Sequence, residues 1–114
     1  DILTLVRQHP DVGIGMLFEL GSKLSRVSRM HELLSIRDAR ARLAGYLLLL
    51  GREAGGGTLS LSRDEIAAAT SLRHETISRR LREMEQEGLL MLNGHRGITL
   101  RNIKGLQDIL DTAG

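Results

Sequence analysis

The stretch Ser62-Arg63-Asp64-Glu65 constrains the fold of this chain more than any other. In the pattern S-x-x-E the serine hydroxyl and the glutamate carboxylate satisfy reciprocal backbone amides at a helix start, and Leu61 with Ile66 supply the apolar pair that fixes the entry angle. A short helix from Arg63 to about Thr70 is expected. Ser71 and Leu72 interrupt it, and a second helix runs from about Arg73 to Glu87, stopped by Gly88. Leu89 to Leu92 and Ile98 to Leu100 then flank Asn93-Gly94-His95-Arg96-Gly97, an Asn-Gly-containing hairpin of two short strands. Asn102 can cap a last helix from Ile103 to about Thr112. Two helices joined by a tight turn and followed by a hairpin constitute a winged helix-turn-helix pattern, whose second helix is shaped for the DNA major groove.

The upstream half is helical by its periodicity. Ile2, Leu3, Leu5 and Val6 suggest a short helix from Asp1 to Gln8, and Pro10 ends it or opens the next. From Asp11 to Leu34 a seam with steps of four and three passes through Gly13, Leu17, Leu20, Leu24, Val27, His31 and Leu34, with Lys23, Ser25, Arg26, Ser28, Arg29 and Glu32 on the polar side. Such a narrow stripe reads as a coiled-coil-like dimer contact, against the alternative of a buried helix in a monomer. Between Val12 and Leu20 nearly the whole circumference is apolar, so this helix end needs cover on more than one side. His31 in the seam reads as a tolerated polar position, and Gly13, Gly15 and Gly21 each cost the helix roughly 1 kcal/mol relative to Ala. A core helix restarts at Ser35 or Ile36 and runs to about Arg52, with Ala39, Leu43, Tyr46, Leu47 and Leu50 at helical spacing. Gly55, Gly56 and Gly57 form a connector, not a phosphate loop, since no Gly-Lys-Ser/Thr follows. Thr58 to Leu61 alternates like a short strand. The expected fold is mainly α with a small β wing: residues 1–35 hold a short helix and a long dimerisation helix, and residues 36–114 a winged helix-turn-helix domain.

Composition removes most other function classes. Phe18 and Tyr46 are the only aromatic residues and Trp is absent, which argues against platforms that stack single-stranded bases on exposed rings. With no Cys there is no disulfide, thiolate zinc site or cysteine nucleophile, and His9, His31, His74 and His95 lie too far apart for an HxxxH pair. No metal or catalytic residue is expected, since a G-x-S-x-G elbow and paired carboxylates are also missing. No signal core or bilayer-spanning run is present. The chain opens on Asp1 rather than Met, and its 114 residues read as a fragment or processed chain.

Sixteen basic against fourteen acidic side chains give a formal charge of only +2, so the distribution matters more than the sum. Arg73, Arg79, Arg80 and Arg82 face a single acid, Glu75, in the first part of the second helix, whereas Glu83, Glu85 and Glu87 crowd its end. This polarity is the reverse of what the helix dipole favours. A groove-entering basic end explains it better than helix stability does, although pairs such as Arg79 with Glu83 can also form local salt bridges.

Leu61 to Leu90, reading LSRDEIAAATSLRHETISRRLREMEQEGLL, resembles the DNA-binding domain of the Crp/Fnr family of bacterial transcription regulators. Arg7 to Gly51, with its His-Pro break, seam helix and IRDARARLAGYLLLL helix, is similar to that family's dimerisation helix and the helix after it. The family's cyclic-nucleotide-binding-like sensor domain has no counterpart in these residues, which would account for the over-apolar stretch from Val12 to Leu20. The resemblance implies a cytoplasmic homodimer on double-stranded DNA, with RNA polymerase as a further partner and no membrane role. No cofactor is expected in this chain, and the effector of the missing sensor is not named by it. The resemblance further implies base reading by Glu75 and Arg79, with Ser78 assisting at the thymine end of a TTGA-like half-site. The chemistry agrees: Arg can donate two bonds to guanine and Glu can accept from cytosine, about 1–3 kcal/mol of discrimination each. Ser62, Arg73, His74, Thr76 and Arg82, with Asn93 and His95 in the wing, are placed for the DNA backbone or auxiliary contacts. Leu17, Leu20, Leu24, Val27, His31 and Leu34 form the expected dimer interface. Three positions depart from the family pattern: Ser71 for a turn Gly, Arg73 for a capping Ser or Thr, and Arg80 for an apolar residue. The alternative reading is a winged-helix protein-protein module whose apolar N-terminal helix carries the contact.

Overall fold

A computed structural model describes residues 2–113, and for Ile2, Leu5, Val6 and Val12 it describes the backbone alone. The order of elements is α1 (Ile2–Gln8), α2 (Pro10–Ser35), α3 (Ala39–Glu53), β1 (Thr58–Ser60), α4 (Arg63–Thr70), α5 (His74–Gln86), β2 (Leu90–Asn93), β3 (Gly97–Leu100) and α6 (Ile103–Ala113). Asp1, the expected first residue of α1, lies outside the described residues, as do the side chains of Ile2, Leu5, Val6 and Val12. The residues cluster into two compact units, 1–32 and 33–114. None of the described helices is long and apolar enough to cross a membrane.

In the first unit Pro10 opens α2 rather than closing α1, because its fixed φ and missing N–H suit a first helical position. The apolar residues of α2 stay largely uncovered: Leu17, Leu20, Leu24 and Val27 are exposed, and Phe18 is 74% exposed. Gly15 and Gly21 have open space where a Cβ would stand.

The second unit owes its core to α3, which buries Leu43, Ala44, Leu47 and Leu48 and packs against α4, α5 and α6. α3 begins at Ala39, later than the expected Ser35 or Ile36, because Asp38 is extended and its carboxylate accepts from the Ala41 amide at 2.9 Å. A capping aspartate next to the apolar period outweighs the helical tendency of the residues before it. The segment ahead of α3 is then held by Arg42, whose guanidinium donates to the Ile36 carbonyl at 2.9 and 2.6 Å. The same guanidinium donates to the Thr70 carbonyl at 3.0 Å, so one side chain ties the approach to α3 to the end of α4.

β1, β3 and β2 form one antiparallel sheet in that spatial order. The expected strand at 58–61 is thus a third strand of the wing sheet, one residue shorter at its end, with Leu59 opposite Ile98 and both buried. Across the sheet Thr58 and Thr99 share a hydroxyl hydrogen bond of 2.8 Å. Gly97 pairs with both Ser60 and Asn93, and an added Cβ there would lie 2.5 Å from the Asn93 carbonyl oxygen, a contact no side chain allows. α6 starts as expected, with the Asn102 side chain accepting from the Gly105 amide at 2.8 Å.

The turn between α4 and α5 carries one strained residue. Ser71 ends α4 at φ 58°, ψ 26°, the left-handed region that glycine occupies without penalty. Ser71→Gly is therefore expected to raise stability by up to about 1 kcal/mol, relief of the left-handed strain exceeding the added unfolded-state entropy. An increase in the urea midpoint checks this; a decrease would mean that the serine side chain compensates for its backbone.

Candidate nucleic-acid interface

α4 starts where the sequence places it. The Ser62 hydroxyl accepts from the Glu65 amide at 3.0 Å, and Leu61 and Ile66 are both buried as the flanking apolar pair. The Glu65 carboxylate does more than cap. Its principal partner is Arg96 in the wing, at 2.6 Å, and this guanidinium chiefly holds the carboxyl below its ordinary range, with the Ser62 hydroxyl and amide assisting.

α5 turns two chemistries to opposite sides. Ile77, Leu81 and Met84, spaced four and three apart, are fully buried and fix the helix against its neighbours. Glu75, Arg79, Arg82 and Gln86 repeat at the same spacing on another face, and with Glu83 they line a shallow open depression. Arg79 donates to Glu75 at 2.8 Å, and the two side chains are 57% and 83% exposed. The two expected base readers are thus adjacent, solvent-facing and already oriented by one another. Ser78 and Thr76 are half-buried on the flanks of this face.

The remaining expected contacts spread over three segments. Arg73 is the extended N-cap of α5, one residue ahead of the helix, and makes no side-chain cap bond. His74 opens the helix, and its Nε2 lies 2.8 Å from the Asp64 carboxylate of α4, which gives this histidine a structural partner across the turn. Ser62 is half-buried at the α4 cap, while Arg82 is exposed on α5. In the wing Asn93 and His95 are exposed, and the Asn93 amide group donates to the Thr99 hydroxyl at 2.9 Å.

The acids at the end of α5 have individual partners. Glu83 pairs with Arg80 at 2.6 Å, not with Arg79 as the spacing of four suggested, because Arg79 is held by Glu75. Arg80 is half-buried, and its head stays beside Glu83. The Glu85 carboxylate accepts from the Leu92 amide at 2.6 Å and so ties α5 to β2. Glu87, the C-cap, takes a two-pronged bond from Arg40 of α3, with Nη2 at 2.8 Å. That guanidinium holds the Glu87 carboxyl below its usual range. The acids at the end of α5 are therefore engaged in ion pairs and a hydrogen bond, while Arg73, Arg79 and Arg82 face solvent. Gly88, at φ 77°, then turns the chain into the sheet.

Arg96 and Arg63, like Arg40 and Arg42 of α3, escaped the sequence reading. Arg96 was read only as a hairpin residue, although its contacts with Ser60 and Glu65 join the wing to the start of α4. Arg63, the first residue of α4, is half-buried, burial lowers its pKa, and its Nη1 is buried without a hydrogen-bond partner. No local periodicity signals the role of Arg96, since its partners are distant in sequence.

Residues 41–109 match the Crp-like helix-turn-helix domain. The chain belongs to the Crp/Fnr family. It carries the helix-turn-helix DNA-binding domain of a Crp/Fnr-type transcription regulator. Among its Crp/Fnr relatives, the cyclic AMP receptor protein of Thermus thermophilus is 32% identical over 109 residues, covering 96% of this chain and 50% of that protein. The global nitrogen regulator of Synechocystis is 30% identical over 104 residues, covering 85% of this chain and 46% of that protein. The solved structure of FixK2 from Bradyrhizobium japonicum superposes with a TM-score of 0.79 at 28% identity, covering 95% of this chain and 56% of that one. The chain thus spans about half the length of the curated relatives it matches. These relatives are named as a receptor protein and a regulator, not as enzymes, and among the described residues no group of His, Cys, Asp or Glu is arranged to hold a metal.

Proposed function

We propose that this chain is the DNA-reading part of a dimeric, non-enzymatic bacterial regulator that recognises a palindrome of TTGA-like half-sites in the cytoplasm. The observation that carries this reading is the exposed Glu75–Arg79 pair on the face of α5 opposite its buried residues. An arginine whose guanidinium is oriented by a neighbouring carboxylate is preset to donate in parallel to guanine O6 and N7, and the carboxylate retains acceptor capacity for cytosine N4. Ser78 supplies a third, smaller group at the thymine end. Ser62, Arg73, His74, Thr76 and Arg82, with Asn93 and His95 of the wing, are assigned to the backbone or to auxiliary contacts, which set register without reading sequence. Residues 1–35 act as the dimerisation segment and 36–114 as the DNA-binding domain. Selection of bound duplexes from a random pool at fixed salt tests the reading. Enrichment of a two-fold TTGA-containing site is expected, and a selected pool without any common sequence would refute it.

The apolar stripe of α2 supports the dimer reading. Leu17, Leu20, Leu24 and Val27 are all exposed along one stripe, the kind of apolar surface that marks an interaction site. His31 and Leu34 extend the seam, and a two-fold site would take one recognition helix per half-site, about 34 Å or one turn of DNA apart. Leu24→Glu is expected to leave α3 to α6 folded and to convert the dimer to monomer, measured by sedimentation equilibrium, with a matching loss of affinity for the two-fold site. The alternative, a protein-protein module working through the same stripe, predicts instead that Glu75 and Arg79 substitutions leave function unchanged.

A further inference from the structure

At the wing tip the Arg96 side chain reaches back to the start of α4, and its partners share one short stretch of chain. Arg96 lies in the exposed loop between Asn93 and Gly97, which are themselves paired across the sheet. Its carbonyl accepts from the Leu61 amide at 2.8 Å, its Nε donates to the Ser60 hydroxyl at 3.3 Å, and its Nη2 donates to the Glu65 carboxylate at 2.6 Å. The pairing of β1 with β3 ends at Ser60 and Gly97, so Arg96 extends that attachment past the sheet and onto the first turn of α4.

We propose that Arg96, clamped by Ser60 and Glu65, is a latch that sets the position of the wing tip for DNA binding. The side chains involved are about half exposed, 53% for Arg96 and 47% for Glu65, and such a pair contributes little to global stability. Its effect is local: it decides where the tip bearing Asn93 and His95 stands relative to the start of α4. Arg96 is a positioning residue in this role, because its Nε and Nη2 are engaged by Ser60 and Glu65. A lysine cannot replace it, since one ammonium on a flexible stem does not span a hydroxyl and a carboxylate in fixed geometry. The depressed pKa of Glu65 is consistent with a carboxylate engaged in this way at neutral pH.

The proposal rests on the DNA-binding reading and makes a prediction opposite in sign to simple electrostatics. Removing an acid beside a polyanion-binding face should strengthen DNA binding, whereas removing the latch should weaken it. Glu65→Gln is the test, because glutamine also serves at this position of a capping box and leaves the α4 start intact. With a TTGA-palindrome duplex titrated over a range of salt, Kd is expected to rise roughly 3- to 10-fold and the salt slope to shrink by about 1, the loss of a wing phosphate contact. Arg96→Lys should behave alike despite its unchanged charge. Amide hydrogen exchange adds a readout without DNA: the Leu61 amide should exchange faster in both variants while the amides within α5 keep their protection. Equal or tighter binding by Glu65→Gln, or wild-type affinity in Arg96→Lys, overturns the latch. A wild-type protein that does not prefer the palindrome overturns the DNA-binding reading and the latch with it, so the two failures are distinguishable.

Discussion

Arg79→Ala is expected to erase the preference for a palindromic duplex over a random one while leaving weak, salt-sensitive binding. The guanidinium is exposed, stands on the solvent face of α5 and is aligned by Glu75 at 2.8 Å, so its removal disturbs no packing. A lost bidentate contact to guanine costs about 1–3 kcal/mol per half-site, and a two-fold site loses it twice. The residual Glu75 adds to the loss, because an unpaired carboxylate would then enter a groove lined by phosphates. Binding that depends only on phosphate neutralisation should remain, with a Kd on the order of 10⁻⁴ to 10⁻⁶ M near physiological salt. Competition between specific and random duplexes, at one salt concentration, measures the effect directly. A variant that kept its preference would place base reading elsewhere on the chain.

The second large effect lies on the other face of the same helix. Leu81 is fully buried between Ile77 and Met84, and α5 meets α3, α4 and β2 through this side. Leu81→Ala is expected to destabilise the domain by about 2–5 kcal/mol, the lost transfer free energy plus that of the cavity. Against a total of roughly 5–15 kcal/mol for a domain, this is a loss large enough to populate unfolded chains. Urea unfolding of the two proteins checks the difference, and a change below about 1 kcal/mol would mean that the surrounding side chains collapse into the space. Comparison with Arg79→Ala separates the faces of α5: one substitution should alter specificity at constant stability, the other stability first.

Where the chain declares its structure locally, the sequence was a sufficient guide. The Ser62 cap, the Leu61 and Ile66 pair, the stop at Gly88 and the cap at Asn102 all involve residues within a few positions of each other, and each is found where its pattern indicates. The start of α3 was misread because apolar periodicity was followed past Asp38, whose carboxylate sets the boundary by a single bond. The place of β1 in the wing sheet was not legible, since a three-residue strand declares no partner until Thr99, Ile98 and Gly97 are brought beside it. The charge pattern was legible as a polarity but not as a wiring. Spacing alone allows Arg79 to pair with Glu75 or with Glu83, and it gives no hint that Glu87 binds Arg40 or that Glu65 binds Arg96. Those choices depend on which helices and loops meet, and they leave the acids at the end of α5 paired while Arg73, Arg79 and Arg82 stay exposed.

The central claim, that α5 reads sequence through Glu75 and Arg79, is tested most directly by the affinity of the wild-type chain for a TTGA-palindrome duplex and for a scrambled duplex of equal length, at one fixed salt concentration. Specific recognition predicts a ratio of about 10³ or more in favour of the palindrome. Equal affinities for the two duplexes would contradict the account.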